Sequence, residues 1–160
     1  MRSIFPKQFV LIVLGFSAIA HLSCQGQLPD RWSKEMELII YNGDGRAPVS
    51  KTVVIKNSSC RFTEWVESKK HSHIFTLTQK ELDRMLKEMN AADFINMTSA
   101  DSKSIAYDKA TTSIQFKWPD HIHKVSDGAV ERVSGDKSNA FYNLYSYIDS
   151  LVMVKIKKLN

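Results

Sequence analysis

Four histidines have the spacing in this chain most suited to chemistry, in the elements His71-Ser-His73 and His121-Ile-His123. On a strand, residues two apart project from the same face, so each element would offer two imidazoles to one side. Were the two strands neighbours, four nitrogens would converge in a manner that suits Zn²⁺ or Cu²⁺. The plainer alternative places both pairs at strand ends as ordinary polar residues. No cysteine or carboxylate joins either pair at ligand spacing.

Other reactive residue types lack a supporting context. Asp44 lies between Gly43 and Gly45, but the ligand series of a calcium loop is absent, and Asp-Gly is the commoner signature of a turn. No serine sits in a Gly-x-Ser-x-Gly elbow. Cys60 has no Cys-x-x-Cys partner, which argues against a redox role. No cofactor signature is present. An enzyme assembled from distant positions stays open, because catalytic groups need not be close in sequence.

Aromatic residues suggest a different class of function. Trp32, Tyr41, Trp65 and Tyr107 fall off the clearest apolar stripes. An aromatic exposed on a sheet face or loop tip is a typical anchor for a protein or glycan. Trp65 and Tyr107 are the candidate partner-binding residues, with burial of Trp65 against a sheet edge as the alternative.

These residues must be held by elements that the hydrophobic pattern marks. Met36, Leu38 and Ile40 alternate with polar neighbours, Thr52–Lys56 is β-branched, and Cys60–Val66 and Ser72–Leu77 continue the strand pattern. Asn42-Gly43-Asp44-Gly45 is a concentrated turn signal. Thr78 and Glu81 form a capping box, and Leu77 and Leu82 occupy the staple positions beside it. Leu82, Met85, Leu86 and Met89 then make one helical stripe. Residues 96–112 are small and polar and predict a long loop. Ser113–Trp118 and His121–Ser126 flank Pro119-Asp120 as a hairpin. Phe141, Leu144, Tyr145, Ile148, Leu151 and Val152 mark a second helix starting near Asp136 or Ser138. The expected fold is α+β, with about six antiparallel strands in the order ββββ-α-ββ-α. Both helices should pack on one face, leaving an open face that carries Lys, Thr, Glu and Trp65.

The N-terminal end reads as an export signal. Arg2 and Lys7 precede the apolar run Phe9–Ala20, about a dozen residues and too short to span a hydrocarbon core. Residues 1–23 are the expected signal peptide. The stretch Ala20-His21-Leu22-Ser23-Cys24 resembles the lipobox of bacterial lipoproteins, which implies lipidation at Cys24. The alternative is ordinary cleavage nearby, leaving Cys24 as a thiol able to pair with Cys60. An acylated Cys24 would instead leave Cys60 as a small buried apolar residue.

Removing 23 of the 160 residues leaves 137, the size of a single domain. Residues 24–34 read as a tether, 35–155 as the domain and 156–160 as a basic tail. Without Arg2 and Lys7 the basic count falls from 22 to 20 against 17 acids. A surplus that modest, in an exported chain, argues against nucleic acid as the partner.

The layout of Phe75-Thr-Leu-Thr-Gln-Lys-Glu-Leu82, Asn90-Ala-Ala-Asp-Phe94 and Thr112-Ser-Ile-Gln-Phe116 resembles small uncharacterised lipoproteins of Gram-negative bacteria, over about residues 35–152. The resemblance implies a periplasmic or outer-membrane-attached α+β domain and no particular activity. The expected function is a non-catalytic envelope lipoprotein, held to the membrane by its lipid and binding a protein, peptide or glycan. A metal-binding protein or enzyme using His71, His73, His121 and His123 is the alternative.

Overall fold

The computed structural model describes residues 27–43, 49–102 and 109–159. The expected leader, Cys24, Asp44 and Tyr107 lie outside these residues.

Alternating apolar residues with short turns give four strands first: β1 (Glu37–Gly43), β2 (Val49–Lys56), β3 (Ser59–Val66) and β4 (Lys69–Thr76). Helix α1 (Gln79–Ala91) follows, then a 3₁₀ turn (Phe94–Asn96) and β5 (Ser99–Asp101). The chain closes with β6 (Thr111–Trp118), β7 (His121–Asp127), β8 (Glu131–Val133) and α2 (Ser138–Lys157). Six strands form one antiparallel sheet in the order β4-β3-β2-β1-β6-β7, as an α+β fold with two helices.

The tight turns explain the hairpins. Glu67 and Ser68 both have positive φ, 48° and 67°, the geometry that matches the right-handed twist of flanking strands. Pro119 precedes Asp120 at φ 65°, so proline sets the first turn residue and Asp tolerates the left-handed second. The capping box closes as expected: the Thr78 N–H donates to Glu81 Oε2 at 2.9 Å, and the Glu81 N–H to Thr78 Oγ1 at 3.3 Å.

One face of the sheet is buried. Its central row reads Phe75, Cys60, Ile55, Leu38, Phe116 and His123 across the strands, and the next reads His73, Phe62, Val53, Ile40, Ile114 and Val125. Leu82, Met85, Leu86 and Met89 of α1 and Phe141, Leu144, Ile148 and Val152 of α2 complete this core.

Three expectations need correction. Residues 96–112 are not one long loop. Met97 is buried, β5 pairs with β8, and β6 already begins at Thr111. Strands of three residues with no apolar alternation give no periodic signal, and their partner lies about thirty residues away. Residues 28–34 are not a free tether either. Leu28 and Trp32 are buried beside α1, Trp32 at 3% exposure. Asn90 brackets Leu28 by accepting its N–H at 3.0 Å and donating to its carbonyl at 3.1 Å. Asp83 accepts the Trp32 N–H at 2.8 Å, and Gln79 donates to the Trp32 carbonyl at 2.9 Å. The backbone groups of an irregular segment thus find side-chain partners on the helix, which makes burial tolerable. Finally, Ile156 is buried within α2, so the basic tail begins only after that residue.

Replacing Asn90 with Ala should remove both Leu28 hydrogen bonds and cost about 1–3 kcal/mol in urea unfolding. Trypsin should then cut faster at exposed Arg31 than in the wild type; unchanged cleavage would show that Asn90 does not hold the segment.

Candidate functional site

The register decides where the histidines go. His71 and His73 lie on β4 and His121 and His123 on β7, and these strands are the two opposite edges of the sheet. Five inter-strand steps of about 4.8 Å separate them along the sheet. The pairs do share a face, the buried one, but all four nitrogens cannot meet at one ion. The neighbour relation that convergence requires is absent, because the second hairpin joins the sheet beside β1 and not beside β4. Among the described residues no group of three or more His, Cys, Asp or Glu could hold a metal ion.

Each histidine is accounted for locally. His123 Nε2 lies 3.0 Å from the Phe94 carbonyl oxygen, and its ring meets Phe94 edge-on at 5.0 Å. His121 stacks on Trp118 at 5.2 Å, and His73 tilts against Phe62 at 6.3 Å. His71 is exposed near the Glu64 position of β3.

Polar groups at the margin of the core are tied together. The buried Asp127 carboxylate accepts from Tyr142 Oη at 2.5 Å and from Lys109 Nζ at 3.0 Å. Burial works to raise its pKa, but these two donors outweigh it and hold the carboxyl below the usual range. Burial, together with the same hydrogen bond, pushes Tyr142 up to about 12. Glu81 joins the capping box to α2 through Lys155 Nζ at 2.8 Å. Both oxygens of Asp127 are engaged, so it is a clamp between β7, α2 and the approach to β6 and not a free base. Cys60 is a buried free thiol whose pKa burial pushes up to about 11, leaving it protonated and unreactive.

Among the described residues no helix covers the opposite face of the sheet, and it collects residues that sequence reading considered only singly. From the register, four cations form a band two rows wide across the strands: Lys56 of β2 and Lys117 of β6 in one row, and Arg61 of β3 and Lys124 of β7 in the next, with Val54, Ile39 and Gln115 between those two. Glu37 stands in it between Lys56 and Lys117 and is the only carboxylate that the described residues of these six strands place on this face. Beside the band runs a row of Ser72, Thr63, Thr52, Tyr41 and Ser113. Trp65 stands one row further, 42% exposed, with Lys70 Nζ 5.8 Å from its ring centroid. Tyr41 is 38% exposed and lies over Gly43, where a Cβ would meet its hydroxyl at 2.2 Å. A shallow cavity of about 270 Å³ opens on this face, lined by Val54, Lys56, Ser59, Arg61 and Ile74 among others.

Of the aromatics singled out from sequence, then, Trp65 and Tyr41 are surface residues and Trp32 is core. The cationic band was missed, although each member sits at the outward parity of its strand, a signal present once the inward parity is known. No helix among the described residues is long and apolar enough to cross a membrane. A scan against protein-family models gives no match, and a comparison with curated proteins gives none either.

Two outcomes follow from the tied-off groups. The depressed Asp127 pKa contributes stability that is present above about pH 4 and lost as pH falls below it. The raised Tyr142 pKa contributes stability that is present below about pH 10 and lost as pH climbs towards about 12. Tyr142→Phe should therefore flatten the alkaline limb of a stability–pH profile and cost about 1–3 kcal/mol at neutral pH; an alkaline limb identical to wild type would refute the clamp. Cys60 should resist a thiol reagent at pH 8 in the folded chain and react fully in 6 M guanidinium. Rapid labelling of the native protein at Cys60 would contradict its assigned burial.

Proposed function

We propose that the chain is an exported, non-catalytic envelope lipoprotein, acylated at Cys24, whose domain binds a protein, peptide or glycan through its open sheet face. The observation that carries this reading is the one-sided burial of the sheet, which leaves Trp65, Tyr41 and Ile74 exposed on the uncovered face. Exposed aromatics set among polar groups are the usual anchors of recognition surfaces. The short basic-then-apolar leader and the cysteine that follows it support export and the anchor.

The anchor is tested by the mass of the mature N-terminus, which should begin at a diacylated or triacylated Cys24. The face is tested by a photo-crosslinking residue at position 63, beside Trp65, in cells that make the protein. A specific adduct should form there and not from position 87 on α1. Trp65→Ala should lower its yield about tenfold, the scale of losing an anchoring aromatic. Equal labelling from both positions, or indifference to Trp65→Ala, would remove the open face from the proposal.

A further inference from the structure

We infer that the occupant of the open face is an acidic polysaccharide lying across the strands, its anionic groups on the Arg61–Lys56–Lys117–Lys124 band. This deepens the envelope-binding reading and rests on it.

Charge complementarity is the first argument. Among the described residues of the face, five cations, the band and Lys70, face one carboxylate, Glu37, while the chain without its leader carries 20 basic against 17 acidic residues overall. Among the described residues none of the five lies within 4 Å of a carboxylate, unlike Lys51, Lys109, Lys137 and Lys155 elsewhere. Cations held at fixed strand spacing without a carboxylate partner make a surface for a polyanion. The band crosses from β3 to β7, four inter-strand steps of about 4.8 Å, or about 19 Å, enough for several sugar units.

The chemistry between the cations selects a glycan over an acidic protein. The adjacent row offers hydroxyls from Ser72, Thr63, Thr52, Tyr41 and Ser113, donors and acceptors that match sugar hydroxyls. The strongly exposed apolar residues, Ile74 at 67% and Ile122 at 66%, sit at opposite edges on β4 and β7. A stable protein interface concentrates its apolar area at the centre of the patch, and here the centre holds only the half-buried Ile39–Val54 pair, flanked by Arg61 and Gln115. Trp65, with Lys70 against its ring, supplies an aromatic surface in the row next to the hydroxyls, beside Thr63 on β3.

A lipid surface fits this face less well. Leu28 docks on α1, on the helix side of the sheet. Three residues lie between it and Cys24, four steps along the chain, a reach of about 14 Å at about 3.5 Å a step. An acyl chain there would bring the helix layer to the bilayer and turn the open face away from it.

The test uses the full mature chain in detergent with polygalacturonate as probe, and with dextran, poly-L-glutamate and phosphatidylglycerol vesicles as comparators. Polygalacturonate should bind and dextran should not, and raising salt should weaken binding steeply. Lys56→Glu with Arg61→Glu, or Lys117→Glu with Lys124→Glu, should each weaken it about tenfold or more. The charge-neutral Lys56→Gln with Arg61→Gln gives the same direction should a reversal disturb folding. Lys80→Glu with Lys87→Glu on α1 should change it less than about twofold, and Trp65→Ala should weaken it. Binding that ignores the outer-face changes overturns the proposal. So does tighter binding to poly-L-glutamate, which would mean an acidic protein, or to the vesicles, which would mean a membrane. Should polygalacturonate fail while the position-63 adduct still depends on Trp65, the binding face stands and only the glycan is wrong.

Discussion

Strand β1 sits in the middle of the sheet and pairs on one side with β2, its neighbour in sequence, and on the other with β6, about seventy residues later. Everything else is arranged around that second pairing. It brings Ile114 and Phe116 level with Ile40 and Leu38, so that one continuous apolar surface exists for the two helices to cover. Trp32 adds its ring to this surface 5.6 Å from Phe116, over the junction that the long-range pairing creates. A sheet of this kind has enough apolar residues for one covered face only, because its strands alternate. The other face is consequently polar and open.

The same pairing controls which chemistry is possible. Adding the second hairpin beside β1 sends β4 and β7 to opposite edges and separates the two histidine pairs. Inside the covered layer, the ionisable groups are engaged: Asp127 by Tyr142 and Lys109, Glu81 by Lys155 and Thr78. Such groups cost stability if left alone in a low-dielectric setting, so their pairing is what allows them there. The charged residues of the other face need no such pairing, because that face is not buried.

Features set by neighbours in sequence were legible. The capping box at Thr78 and Glu81, the stripe from Leu82 to Met89 and the turn at Pro119-Asp120 each depend on residues within a few positions, and each stands where the sequence puts it. Features set by distant partners were not. The order of strands cannot be read from alternation, which is why His71 and His123 looked able to meet. Strand β5 exists because β8 pairs with it, and Ser-Ala-Asp alone carries no strand signal. Residues 28–34 read as a tether because their hydrogen-bond partners, Asp83 and Asn90, lie more than fifty residues away. The cationic band needed the register as well, since Arg61 and Lys124 are unrelated until β3 and β7 share a sheet.

The docking of Leu28 and Trp32 has a geometric consequence for any anchored form of the chain. A flexible ten-residue linker would let the domain tumble and would give neither face a fixed relation to the membrane. With Leu28 bracketed by Asn90, only the residues between it and Cys24 remain to span from lipid to domain, and they start on the helix side. The charge distribution agrees with that orientation. The helix surface mixes signs, with Lys80, Asp83, Arg84, Lys87 and Glu88 all on α1, while the charged groups among the described residues of the sheet's outer face are cations except Glu37. A surface of mixed sign tolerates proximity to headgroups without being held there, whereas a single-signed face acts at a distance on whatever anion passes. The laying of residues 28–34 against α1 thus decides from which side of the sheet any such anchor would reach the domain, while the strand register decides the charge of the other side.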